Sequence, residues 1–340
     1  MWRLLGRAGV FGLRLAEDHP SGAGAGLGPA ETVLIFEEAG RALVPGPLVA
    51  THLAAGLVEG AATGDAVVTV LDLSGTGRPP HTPAGEGASV LVEHLAAADA
   101  VLVVDSGTAY VLPVTACASD AASDVVSGLA SHVVSGVGPG ATPGTLAGFA
   151  AEPMRSVDPL TPLHRVSCAA VAGPGPDTAP GEDPRLPEPL TLPGETIWPR
   201  EAVLLTAALQ LGSAGRTVEM AVRYAGEREQ FGQPIGAFQA VKHLCAQMLV
   251  RAELARSAVY AAAVTGNADD TAVAKLLADE AAVRNARDCL QVHGGMGFTW
   301  EADVHLHLKR AWLRAGQWQS AAESEEALAE SLLAAEDVAG

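Results

Sequence analysis

The feature that most restricts what this chain can fold into is a change of hydrophobic period. From about Trp198 to Leu333 nearly every segment carries apolar residues at three- and four-residue steps, whereas between about Gly64 and Cys168 they come in short bursts separated by Gly, Pro and Asp. The first pattern belongs to long amphipathic helices and the second to short strands. The helical half divides at about residues 199–228, 238–264 and 269–291, with one or two further helices between Asp303 and the end. Asp269, Asp270 and Thr271 are candidate N-caps of the third, and Gly294-Gly295 is its stop. Short loops between such helices favour an antiparallel bundle of about four.

The bursts at 66–71, 89–92, 100–104, 109–114 and 164–169 hold several β-branched valines and predict a small β domain. Ahead of it, Thr32, Val33, Phe36, Ala39 and Leu43 recur at helical steps until Pro45-Gly46-Pro47 breaks the run, and a second helix is expected over 48–59. Residues 173–189 are rich in Pro, Gly, Asp and Glu and read as an exposed linker. The expected architecture is α+β: N-terminal helices over 1–62, a middle β domain over 63–170, a linker over 171–190 and a C-terminal helical bundle over 191–340.

Composition narrows the partners. Only 4% of residues are aromatic although 49% are hydrophobic, so the interior must be filled by Ala, Val and Leu, which permits close helix contacts. A net charge of -18, with three lysines (Lys242, Lys275, Lys309), argues against nucleic acid, which needs clustered cations. Cys117, Cys168, Cys245 and Cys289 are too scattered for a zinc site and read as small buried hydrophobes in a reducing compartment. No run of eighteen apolar residues predicts a membrane span, and the first twenty residues lack the apolar core and cleavage site of a secretory leader. The expectation is a cytoplasmic protein without metal.

Two segments carry the chemistry. The first, RYAGEREQFGQPIGAFQAVKH (residues 223–243), ends a long helix and turns through Phe231-Gly232-Gln233-Pro234, so Arg228 and Gln230 present a cation and an amide on a fixed corner. A guanidinium there suits a pyrophosphate because its planar fork meets two anionic oxygens, although a surface pair with Glu227 or Glu229 would also explain it. The second, QVHGGMGFTWE (residues 291–301), sets Gly294, Gly295 and Gly297 just after a helix, where a ligand's phosphate or ribose could approach the backbone; taken alone such a run is an ordinary helix stop.

Together these segments resemble the signatures of acyl-CoA dehydrogenases. The resemblance is strong over the C-terminal half and diffuse over residues 1–170, where phrases such as Phe36-Glu37-Glu38-Ala39-Gly40 and Val157-Asp158-Pro159 carry it. It implies an FAD-dependent α,β-dehydrogenation of an acyl-CoA thioester, with electron-transfer flavoprotein as a possible acceptor. It also implies that Gln291, Gly294, Gly295 and Gly297 contact the ADP half of an FAD held mainly by a neighbouring subunit. Arg228, Gln230 and Phe231 would then hold the flavin from another chain, an arrangement that requires an oligomer.

The chain departs from the family where the catalytic base belongs. Removal of the α-proton needs a carboxylate. Counting forward from Gly294, the position where most members carry it falls on Trp318, and the next acid is Glu323. The position used by a minority, ten residues before Gly212, falls on Ala202, with Glu201 as its neighbour; Glu201 is the one candidate base, and as a first-turn acid it also suits the positive end of the helix dipole. The flavin-facing loops of the family are not found between Gly64 and Cys168, and the N-terminus starts after the first helices expected of the family. The resemblance therefore leaves three readings: a base-lacking subunit completing the FAD site of a homologue, as in an actinobacterial subfamily of α2β2 assemblies acting on bulky acyl-CoAs; a self-sufficient homo-oligomer using Glu201; or a structural homologue without flavin.

Overall fold

The computed structural model describes residues 1–72, 89–105, 108–115, 145–146, 151–167 and 197–339. The linker over 171–190, and Cys117 and Cys168, lie outside the described residues. The described part is α+β, and no helix in it is long and apolar enough to cross a membrane. It contains no cluster of ligands that could hold a metal ion.

The N-terminal helices are α1 (Trp2–Arg7), α2 (Pro29–Arg41) and α3 (Leu48–Leu53). α1 spans six residues, fewer than two turns, too short for a helical period to show in the sequence. Pro29 starts α2 and Glu31 reaches back to the Gly28 amide at 3.0 Å, which satisfies one of the donors that a helix N-terminus leaves unpaired. The second helix stops at Leu53 and continues as turns, shorter than its apolar residues suggested.

The strands β1 (Val68–Asp72), β2 (Ser89–Glu93), β3 (Ala100–Asp105), β4 (Thr108–Thr115), β5 (Thr145–Leu146), β6 (Ala151–Met154) and β7 (Leu163–Ser167) form two sheets. One has the order β1-β3-β4-β5, with β1 and β3 parallel, and the other β2-β7-β6, all antiparallel. Leu71, Val92, Val101, Val103, Leu112 and Val166 fill the space between them. The short β5 and β6 lack a clear apolar alternation, and β6 contains Pro153.

The second half is helical: α4 (Ile197–Glu227), α5 (Gln239–Thr265), α6 (Ala268–His293), α7 (Val304–Ala315) and α8 (Ala321–Ala339). Asn267, rather than Asp269, Asp270 or Thr271, caps α6, its side chain accepting the Asp269 amide at 2.8 Å. The core is Ala-rich, with Ala207, Ala214, Ala252, Ala278 and Ala282 among its fully buried members. α2 crosses α4 through two glycines: a Cβ on Gly40 would lie 2.1 Å from the Leu209 carbonyl oxygen, and one on Gly212 1.8 Å from that of Glu37. Only glycine permits that approach.

α7 joins the units. Arg310 is ion-paired with the buried Asp158 ahead of β7 and donates to the Val44 carbonyl at 3.3 Å. Its last carbonyls are held from the bundle, Ala311 by Gln210 at 3.0 Å and Arg314 by the fully buried Lys275 at 3.1 Å.

Candidate cofactor site and the base positions

α4 ends in a built corner. Between Glu229-Gln230 and Gln233-Pro234 the chain forms a minimal hairpin, whose two central residues are Phe231 and Gly232 at φ 55° and φ 79°. Two positive φ values in succession define the type I′ turn, which matches strand twist but strains any residue with a Cβ. Phenylalanine is therefore a costly choice here, and its ring is 91% exposed, touching Phe238 edge-on at 6.1 Å. The Ile235 amide closes the corner by donating to the Arg228 carbonyl at 2.8 Å. Arg228 and Gln230 are exposed; Gln230 donates to the Glu229 carbonyl at 2.9 Å. Among the described residues no carboxylate pairs with Arg228, so the surface pair with Glu227 or Glu229 is not formed.

The glycine segment lies beside this corner. α6 ends at His293, whose imidazole stacks on Tyr224 of α4 with centroids 4.2 Å apart and 19° between planes. His293 Nδ1–H donates to the Cys289 carbonyl at 2.8 Å, which fixes the tautomer and the ring. Tyr224 is one helical turn from Arg228, so one chain presents both segments at the same end of its bundle.

The three glycines differ. Gly294 has φ 59° and ψ −138°, a conformation open to glycine alone. A Cβ on Gly295 would meet nothing within 4 Å, so no packing inside the chain requires that residue to be glycine. Gly297 is buried, and a Cβ there would lie 3.0 Å from Leu290 and 3.1 Å from His293, so its absence serves the chain's own packing. Gln291 is exposed, and its carbonyl accepts the Gly294 amide. A free guanidinium, an exposed strained aromatic and bare backbone at one bundle end fit a ligand with a diphosphate and a flat ring system, as FAD has.

The base positions have the opposite character. Ala202 is fully buried. Glu201 is buried as well and ion-paired with Arg14, with His52 Nε2 at 3.5 Å from its other oxygen. Burial pushes His52 down to about 4, so the imidazole is neutral near pH 7 and Arg14 is the charged partner. Trp318 is half-buried against the main core, at φ 64°. Glu323 accepts both the amide and the hydroxyl of Ser320 at 2.7 Å, the reciprocal half of the cap that Ser320 forms on α8. The Glu201–Arg14 pair joins residues 187 apart, and nothing local in the sequence announces it.

Comparison with known proteins bears on the family of the chain. Residues 202–316 match the family model described as acyl-CoA dehydrogenase, C-terminal domain. The chain is 36% identical over 316 residues to acyl-CoA dehydrogenase FadE34 of Mycobacterium tuberculosis, covering 89% of this chain but only 38% of that protein. It is 32% identical over 312 residues to acyl-CoA dehydrogenase IpdE2 of the same organism, covering 92% of this chain and 80% of that one. Among solved structures, that of the Tcur3481-Tcur3483 steroid ACAD G363A variant superposes with a TM-score of 0.70 at 24% identity, over 100% of this chain and 89% of that chain.

Proposed function

This chain belongs to the acyl-CoA dehydrogenase family, and from that premise we propose that it is the base-lacking subunit of a hetero-oligomeric, FAD-dependent acyl-CoA dehydrogenase. It holds the cofactor and leaves proton abstraction to a homologous subunit. The observation that carries the proposal is the contrast between the two sites: at the corner Arg228 has no carboxylate partner among the described residues, while the two base positions hold Ala202 and Trp318, which cannot accept a proton, and the neighbouring Glu201 is ion-paired with Arg14. Arg228 and Gln230 would hold the diphosphate, Phe231 would stack against a flat ring, and the bare backbone at Gly294 and Gly295 would let ligand oxygens approach. Gln291 would supply an amide from the end of α6. When bound, the flavin supplies the two-electron acceptor for dehydrogenation of the thioester.

Glu201 serves here as the anionic half of a buried pair with Arg14. Using it as a base would leave Arg14 unpaired each time the carboxylate took up a proton, at a cost that rises with burial.

The test is turnover with an acyl-CoA and a dye acceptor. The homogeneous chain with FAD should run at least about a hundredfold slower than its mixture with the partner subunit, because general-base assistance is worth about two to four orders of magnitude. Glu201→Gln should leave the mixture's turnover unchanged. A homogeneous preparation that reduces the dye, and stops on Glu201→Gln, overturns the proposal and makes the chain a self-sufficient enzyme.

A further inference from the structure

We propose that Trp318 closes the acyl-thioester site of this subunit, so that the chain neither deprotonates the substrate nor admits it. The inference rests on the base-lacking reading for the location of the site, and adds to it a physical obstruction with its own supports.

The turn after α7 is built to hold the indole in one place. Gln319 N–H donates to the Gln317 carbonyl at 2.8 Å across Trp318, whose φ is 64°, and an i to i+2 bond over a positive φ is the rarer and more strained kind of γ-turn. A bulky residue adopts such a conformation only where its surroundings over-determine it. Three supports do so. Gln317 Nε2 donates to Glu93 at 2.8 Å, tying the turn to the end of β2. Ser320 and Glu323 cap α8 on the far side. On the near side, Lys275 and Gln210 fix the last carbonyls of α7, and the Arg310–Asp158 pair fixes that helix against the sheets.

The turn is thus anchored on both the sheet unit and the bundle, and its one large side chain packs against the main apolar core. Where a carboxylate would place a charge in this seam, the indole places a rigid apolar slab. A thioester tail would have to compete with it for the same apolar space. Neither the strain at residue 318 nor the Gln317–Glu93 bond has a purpose if the turn only joins two helices, since a glycine would connect them without strain.

The experiment is calorimetric binding of octanoyl-CoA to the full-length chain, with free CoA as a control for contacts made by the nucleotide alone. The wild type should show no saturable binding beyond that of free CoA. Trp318→Asn, which keeps a residue tolerant of positive φ, should gain at least tenfold in affinity, and Trp318→Gly should do the same should the Asn variant fail to fold. Gln317→Ala, which releases the turn from Glu93 without touching the indole, should give a smaller gain. Equal affinity in the wild type and the Trp318 variants, whether all bind or none does, overturns the inference. The readout is binding, so such a result leaves the base-lacking reading intact; that reading falls only if the homogeneous chain turns over substrate.

Discussion

Two regions of the molecule, the corner after α4 and the seam between the bundle and the rest of the chain, treat their charged groups in opposite ways. At the corner Arg228 has no carboxylate among the described residues, Phe231 is strained and exposed, and Gly295 faces open space. In the seam that joins the bundle to the rest of the chain, Glu201 pairs with Arg14 and Asp158 with Arg310, and Glu323 is bonded to Ser320 at the start of α8. The contrast lies in the charged groups: the seam's carboxylates are committed within the chain, while the corner leaves an exposed cation beside a strained turn, and strain of that kind persists where something else repays it.

The largest effect that could break this comparison lies in the seam. Asp158→Ala would leave Arg310, 4% exposed, without its counter-ion, and should destabilise the chain by about 3–5 kcal/mol as measured by urea unfolding. A loss within error would mean the seam is no more committed than the corner.

Next is Arg228→Ala. It should leave the melting temperature unchanged and weaken flavin binding roughly tenfold to a hundredfold, the worth of a charge-assisted hydrogen bond or two. Normal flavin content after purification would remove Arg228 from the site.

A third test uses acidity. Burial pushes His52 down to about 4 and His307 to about 3, the latter against Ser213 at 2.8 Å. Both are depressed below the unfolded value of about 6.5, so the stability they contribute is complete above that pH and is lost as pH falls through their folded values. Thermal midpoints should drop as the buffer is taken from pH 6.5 to 4, and His307→Asn should flatten the slope. An unchanged slope would show that other groups govern acid unfolding.

The smallest effect separates the glycines. Gly295→Ala should leave the melting temperature within a degree while lowering flavin affinity severalfold, whereas Gly297→Ala should lower the melting temperature because its Cβ meets Leu290 and His293. Identical behaviour of the two would erase the distinction between ligand-facing and packing glycines.

Much of the scaffold is legible in the residues alone. The predicted helix over 199–228 is α4 within two residues at its start, and the predicted strands over 89–92 and 100–104 became β2 and β3, each with one residue added at its C-terminal end. Long runs of one period leave little room for error. The α6 cap was misplaced by two residues because Asn267, Asp269 and Asp270 are all good caps, and the geometry of the loop after Gly266 decided among them.

The sequence by itself determined the α+β order, the family, and the absence of a carboxylate at residues 202 and 318, since each depends on residue identity and local spacing. Only the tertiary structure decided the rest. That Glu201 is spent on Arg14, that Arg310 binds Asp158 across 152 residues, and that Gln317 reaches Glu93 across 224 are facts of long-range approach. Phe231 and Trp318 could be named as residues of interest, but their positive φ values arise from turns closed by distant supports. Local preference sets which elements form; which polar groups are consumed and which stay free depends on what the fold brings beside them.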